Sequence, residues 1–487
     1  MKKHMQRHIR RAGTWTAVAA SAALLAACGG GGGSADGGTP TTVASQGVIT
    51  QLGSIWVNGV HWDDSGAAIE VDDNPSGHEA LRVGMVVTVE GTMDDSGNAV
   101  ATRVVFDDEL KGPVSGLDPA AGTFAVLGQT VHTSPDGTVF HDTGRCTGTG
   151  SGLAALADGN VVEVSGHRNA AGEVEATYVE CKAPDLAAFA TAQGKRKLEL
   201  RATVTADPDD GATFQVGTQT VDYREAVVDD GMPPHPWSGT FVEVKCDPEA
   251  RADDGIGDVT DCIDGSGVLH ATKVEPAMEG LGDVDADEVE IEGFVTDFAG
   301  PSDFEVAGQP VDASGNVRFV DGTAADLADG VRVEVEGQLS AGGVLVAHKV
   351  KFKGGVRLTG VAQGGAIMGI AVTGDTLTDG QAYEVRGRWT GSAVSAVRAE
   401  PEDGFDPDDW ELRAPASLAQ GIADPVFELL GVQVDTTNAT FEAEDDVVLT
   451  RAGFFARLTN GTGLQSVKVK GSYDGGVLTA RKVEFDD

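Results

Sequence analysis

Carboxylates supply most of the chemistry that this sequence could carry. Aspartates recur in pairs, as in Asp63-Asp64, Asp72-Asp73, Asp94-Asp95 and Asp209-Asp210, and at alternate positions in Asp283-x-Asp285-x-Asp287. Alternating carboxylates suit calcium, because the ion takes roughly six to eight oxygen ligands. The last cluster opens like an EF-hand loop, yet Glu288 stands where the sixth position needs Gly, and no flanking helices are evident. Solvated acidic turns are therefore the plainer expectation, with calcium the one cofactor these residues could take. No HExxH, GxSxG, GxxxxGKS/T or CxxC pattern occurs. The histidines from His61 onward (His61, His78, His132, His141, His167, His235, His270, His348) are scattered along the chain. His270 and His348 flank the Ala of similar strands and read as exposed strand residues, not as a ligand pair. The expectation is a protein that is not an enzyme.

The five cysteines divide into one and four. Residues 1–27 combine a basic start (Lys2, Lys3, Arg7, Arg10, Arg11) with an apolar run shorter than the roughly 18 to 20 residues that span a bilayer, which is the pattern of an export signal. The run ends Leu25-Ala26-Ala27-Cys28, which resembles the bacterial lipobox. That resemblance implies cleavage before Cys28, lipid on its thiol and new amino group, and a membrane as partner through that lipid. Gly29 follows in place of the Asp that marks inner-membrane retention in enteric-type lipoproteins, so the expected location is the outer membrane, facing periplasm or cell surface. Residues 28–44 are Gly-rich and unpatterned and read as a flexible tether. Cys146, Cys181, Cys246 and Cys262 then remain in an oxidising compartment, where three pairings exist. Cys146 with Cys181 and Cys246 with Cys262 are each local to one repeat and are the expected disulfides; zinc is the alternative.

A formal net charge of −41 repels nucleic acid and anionic headgroups and favours solubility, cations or basic partners. Only 6% of residues are aromatic, too few for a nucleic-acid stacking surface. One insert, Met232-Pro233-Pro234-His235-Pro236-Trp237, stands out as a candidate binding loop through His235 and Trp237, unless the Trp folds back as a cap.

The elements that must position these groups are repeats. An extended run closes on Gly at Ile55 to Gly59, Phe124 to Gly128, Phe304 to Gly308 and Phe427 to Gly431, with Phe214 to Gly217 close to it. Later in each copy comes an alternating strand in which Val331, Val333 and Val335 face one way and Arg332, Glu334 and Glu336 the other. A Gly-rich turn leads into Gly-x-Leu/Val-x-Ala-x-x-Val, as in Gly343 to Val350, so the pair forms a hairpin. Units of about 65 to 80 residues are too long for solenoid rungs and suit small closed barrels or sandwiches. The reading gives six: 45–109, 110–184, 197–278, 287–354, a shortened, degenerate unit at 355–403, and 409–487. Helices should be few, with candidates at 183–197 and 324–327. The motif order resembles the bacterial domain of unknown function 5666, found in tandem in exported lipoproteins. The resemblance covers nearly all of 45–487 and implies an all-β tandem array of about six small OB-like β-barrels. It brings no activity. The expected function is non-catalytic binding of an envelope partner, a glycan or a protein; the alternative is a structural spacer or assembly factor without a strong ligand.

Overall fold

Valines and phenylalanines at every second position of short runs force one face of each strand inward, and the computed structural model is accordingly almost all β. It describes residues 40–486 except 95, 135–136, 193–195, 209–210, 250–256, 278–280, 282–283, 444–447 and 461–464. The expected signal peptide (1–27), Cys28 and most of the expected tether lie outside the described residues, as do Asp95, Asp209, Asp210 and Asp283.

Six consecutive strand sets share one topology. In barrel 4 the strands are Glu288–Gly300, Asp303–Val306, Gln309–Asp312, Arg332–Leu339 and Leu345–Phe352, with a short extra strand at Arg318–Val320. The first strand pairs antiparallel with the second and the fourth, the third runs parallel to the fifth, and the fourth pairs with the fifth. This order, 1-2-3-5-4-1, closes a five-stranded Greek-key barrel in which part of the first strand keeps an edge for pairing with another barrel. Barrel 5 keeps all five strands between Val356 and Pro401 and lacks only the short extra one, so its compression falls in the loop before the fourth strand.

Two glycines of the repeat have identifiable duties. The Gly that closes each early run is the second residue of a two-residue hairpin turn: Asn58-Gly59, Leu127-Gly128, Ala307-Gly308 and Leu430-Gly431 all have φ between 45° and 81°, the signature of a type I′ turn. Met368-Gly369 is the same turn in barrel 5. The Gly of the alternating strand sits where the partner strand bulges toward it. A β-carbon at Gly337 would lie 2.2 Å from the Val346 carbonyl oxygen, and Gly91, Gly166, Gly387 and Gly471 face carbonyls at 2.0–2.3 Å. Barrel 3 has Cys246 at this position, and there the last strand is interrupted into Leu269–His270 and Lys273–Pro276. Cys246 is joined to Cys262 and Cys146 to Cys181, with Cα separations of 5.9 and 5.8 Å. By loop-closure entropy each bond stabilises its barrel by about 3–4 kcal/mol.

The barrels pair through their first strands. Barrels 2 and 3 join antiparallel at Lys111↔Glu199, and barrels 5 and 6 antiparallel at Arg357↔Arg413. Barrels 1 and 4, far apart in sequence, join parallel at Val43 to Gln46 against Glu288 to Ile291. The chain thus repeats as two three-barrel halves within one compact unit, Thr39–Asp487. Helix α1 (Leu186–Ala190), capped by Asp185, falls within the expected 183–197 segment. Helix α2 (Arg451–Asn460) is unanticipated: Phe454 and Phe455 plug barrel 6 against Phe427 and Phe441. Among the described residues no helix is long and apolar enough to cross a membrane.

Candidate functional site

First-strand pairing puts polar residues of neighbouring barrels in register, and in the second half this builds an unusual row. Arg398 lies opposite Arg386, Arg386 opposite Arg357, Arg357 opposite Arg413 and Arg413 opposite Lys468, across five adjacent strands of barrels 5 and 6. Like charges directly opposite one another repel. Barrel 4 supplies counter-charges from the segment after its short strand: Asp321 meets Arg357 at 2.9 Å and Arg413 at 3.5 Å, while Asp326 meets Arg386 at 3.3 Å and also Arg398. Burial would lower the Arg357 pKa, but Asp321 and Glu411 outweigh it and raise it.

The arginine row forms one wall of a cleft of about 700 Å³ between barrels 1, 2, 4, 5 and 6. A second cleft, of about 410 Å³, lies between barrels 1 to 4. Asn169, Ala170 and Ala171 of the barrel 2 hairpin turn line both. In the larger cleft Arg386 and Arg398 are half-buried, beside half-buried Trp389 and the exposed Val397. Glu292 and Arg332 close its floor as an ion pair; burial pushes the Glu292 carboxyl up, but Arg332 and Lys353 outweigh it and hold it at about 2. His167 lines the smaller cleft. Its burial pushes the imidazole down to about 4, and its Nε2 has no hydrogen-bond partner.

In the first half the equivalent row alternates in sign: Lys245, Glu199, Lys111 and Glu163 lie opposite one another in turn. Barrel 1 inserts Asp72 and Asp73 here, Asp72 onto Lys111 and Asp73 onto Lys245 at 2.6 Å. Asp72, Asp108 and Glu199 cluster tightly enough for a metal ion, but the Lys111 ammonium already stands among them, 2.5 Å from Asp108 and 3.0 Å from Glu163.

Among the described residues, acidic positions singled out in the sequence serve as turn and seam residues. Asp63 accepts from the Ser65 amide, Asp94 from the Ser96 and Asn98 amides, and Asp287 from Thr42. Asp64 is buried against His78. His270 and His348 lie in different barrels, beside Asp222 and Asp264 and beside Glu288 and Glu336. Of the two readings of the Pro-rich insert, the structure shows the Trp folded back: Trp237 is 2% exposed, stacks on His235 at 3.9 Å and donates its indole N–H to the Pro233 carbonyl. Asp207, reaching both His235 Nδ1 and the Trp237 amide, turns the loop inward so that Trp237 plugs barrel 3 against Phe214 and Tyr223. The larger cleft, an inter-barrel groove, escapes sequence reasoning, since five barrels contribute to it. One signal existed: arginines concentrate in the shortened fifth unit of an otherwise acidic chain.

Four stretches, 46–105, 111–180, 292–351 and 419–484, match the model of a domain of unknown function (DUF5666), and together they cover more than half of the chain. The chain belongs to the DUF5666 family. The four matches fall on barrels 1, 2, 4 and 6. Barrels 3 and 5 carry the same strand order outside the matched stretches: Cys246 interrupts the repeat pattern of the former, and the latter is shortened. No curated protein matches the chain.

Proposed function

We propose that this DUF5666 protein is exported, lipid-anchored at Cys28 to the outer membrane, and acts without catalysis by binding an acidic envelope glycan in the inter-barrel groove. The observation that carries this reading is the row of four arginines on the groove wall of a chain with a net charge of −41. Guanidinium forks match carboxylates in a planar, two-point geometry and stay charged at any physiological pH. Trp389 beside them offers an aromatic face to a sugar ring. The shared first-strand sheets hold the barrels in fixed register, so the ligand meets one composite site and not a chain of independent weak ones. Those same sheets favour the second reading, a rigid spacer that binds nothing strongly.

A glycan array probed with the mature protein separates the two. Uronic-acid oligosaccharides bind, neutral ones do not, and Arg386→Gln with Arg398→Gln weakens binding at least tenfold, with a steep salt dependence. No binding at millimolar uronate favours the spacer. The anchor is tested apart from the ligand: Cys28→Ser moves the protein from the membrane to the soluble fraction, and an unchanged membrane fraction rules lipidation out as the anchor.

A further inference from the structure

In barrels 1, 2 and 4 the residue that follows the short extra strand is an aspartate in the left-handed region: Asp72 at φ 50°, Asp142 at φ 49° and Asp321 at φ 57°. In barrels 1 and 4 this aspartate reaches into the next pair of barrels and meets a buried cation, Lys111 or Arg357. Barrel 2 presents the same carboxylate differently. The preceding residue is His141, which the parallel register of its strand (Val139–His141) places directly opposite Glu180. One ring nitrogen of His141 and one oxygen each from Asp142 and Glu180 all lie within 4.8 Å of one another, with His141 Nδ1 3.7 Å from Asp142 Oδ1. That Nδ1 is sealed from solvent and has no hydrogen-bond partner.

We propose that His141, Asp142 and Glu180 bind a zinc-class divalent cation. One imidazole and two carboxylates are a zinc donor set, and three protein ligands leave a fourth position for water. Around a tetrahedral zinc with bonds of about 2.0–2.2 Å, neighbouring ligand atoms lie roughly 3.4 Å apart, so the three groups need only a small contraction. The surroundings restrict where that movement occurs. Cys181, next to Glu180, is bonded to Cys146 and fixes the backbone. Arg145 holds Asp142 Oδ2 at 2.8 Å and leaves Oδ1 toward the imidazole. Lys182 and the Tyr178 hydroxyl meet Glu180 Oε2 at 3.1 and 3.0 Å. Lys182 retains Glu163 at 3.1 Å when the cation displaces it. The site lies on the outer side of barrel 2 and none of its ligands lines the groove, so it stands independently of the glycan reading.

Titration calorimetry of the mature chain with zinc chloride tests the site, with calcium chloride as the comparison. One zinc binds per chain, at least tenfold more weakly in His141→Ala and in Glu180→Gln. Circular dichroism of both variants identifies the one that keeps its fold, and the loss is read from that variant. Zinc binding that both substitutions leave unchanged overturns the proposal. So does the absence of any zinc binding in the titration, and so does a preference for calcium.

Discussion

Replacing Lys111 with methionine costs about 3–5 kcal/mol and loosens the seam where barrels 1, 2 and 3 meet. The ammonium is 4% exposed and stands among Asp72, Asp108, Glu163 and Glu199, at 4.0 Å from the last. Burial alone would lower the Lys111 pKa; Asp108, Glu163, Asp72 and Glu199 outweigh it and raise it well above the ordinary value. The carboxylates divide. Burial raises Asp108 and lifts Glu199 to about 8, whereas Asp72, pushed up by burial, is pulled down to about 2 by Lys111 and its neighbours. Methionine fills a similar volume but leaves these carboxyls without their central cation, and an uncompensated buried charge is far more costly than a lost surface pair. The check is a denaturant midpoint for Lys111→Met against the native chain and against Lys111→Met with Asp72→Asn, which removes the carboxylate that stays charged. The neutralised variant recovers much of the loss. A single variant as stable as the native chain would falsify the account.

Acidification is the second large effect, through His167 at the junction of barrels 2 and 4. The imidazole is 3% exposed and 6.4 Å from Phe294, with Glu292, Arg332, Glu109 and Lys353 as the charged groups that act on it. Its folded pKa of about 4 lies below the ordinary imidazole value of 6.5. Between those values the unfolded chain binds a proton that the folded chain does not, so stability falls as pH drops through that window. A gap of about 2.5 units corresponds to about 3 kcal/mol, complete near pH 4. Glu199 and Asp108 act in the opposite sense, because their raised folded pKa values mean that acid relieves strain at the Lys111 seam. The His167 contribution is therefore read as a difference: native minus His167→Gln, in denaturant midpoints from pH 7 to 4. The native chain loses about 3 kcal/mol relative to the variant across that range, and parallel curves would show that His167 does not titrate on unfolding.

Much of the fold was legible because period-two alternation and turn glycines act locally. The Val-x-Val-x-Gly strand announces itself in Val333, Val335 and Gly337 wherever it occurs, and the hairpin turns need φ > 0 whatever surrounds them. Cysteine spacing within single repeats pointed to the two disulfides for the same reason. Helix α2 was not legible, because its helical character comes from Phe454 and Phe455 packing into the end of barrel 6, not from a strong local pattern. The folding back of Trp237 was one of two readings; what decides it is Asp207, 30 residues earlier in the chain.

The amino-acid order by itself determined that this chain makes repeated small β-barrels, each closed by contacts within about 80 residues, and that the chain is strongly acidic. Only the tertiary structure decided which barrels pair. Glu199 of barrel 3 and Arg357 of barrel 5 each face the residue just before the Cys246 or Gly387 position of their own fourth strand, yet across the seam the former meets Lys111 and the latter Arg413. The parallel pairing of barrel 1 with barrel 4 spans 245 residues. No local pattern encodes such a pairing, because exposed strand edges of similar barrels are chemically alike. Complementary polar groups distinguish them only after folding has brought them together, as when Ser45 of barrel 1 donates to Glu290 of barrel 4 at 2.9 Å inside the joined sheet.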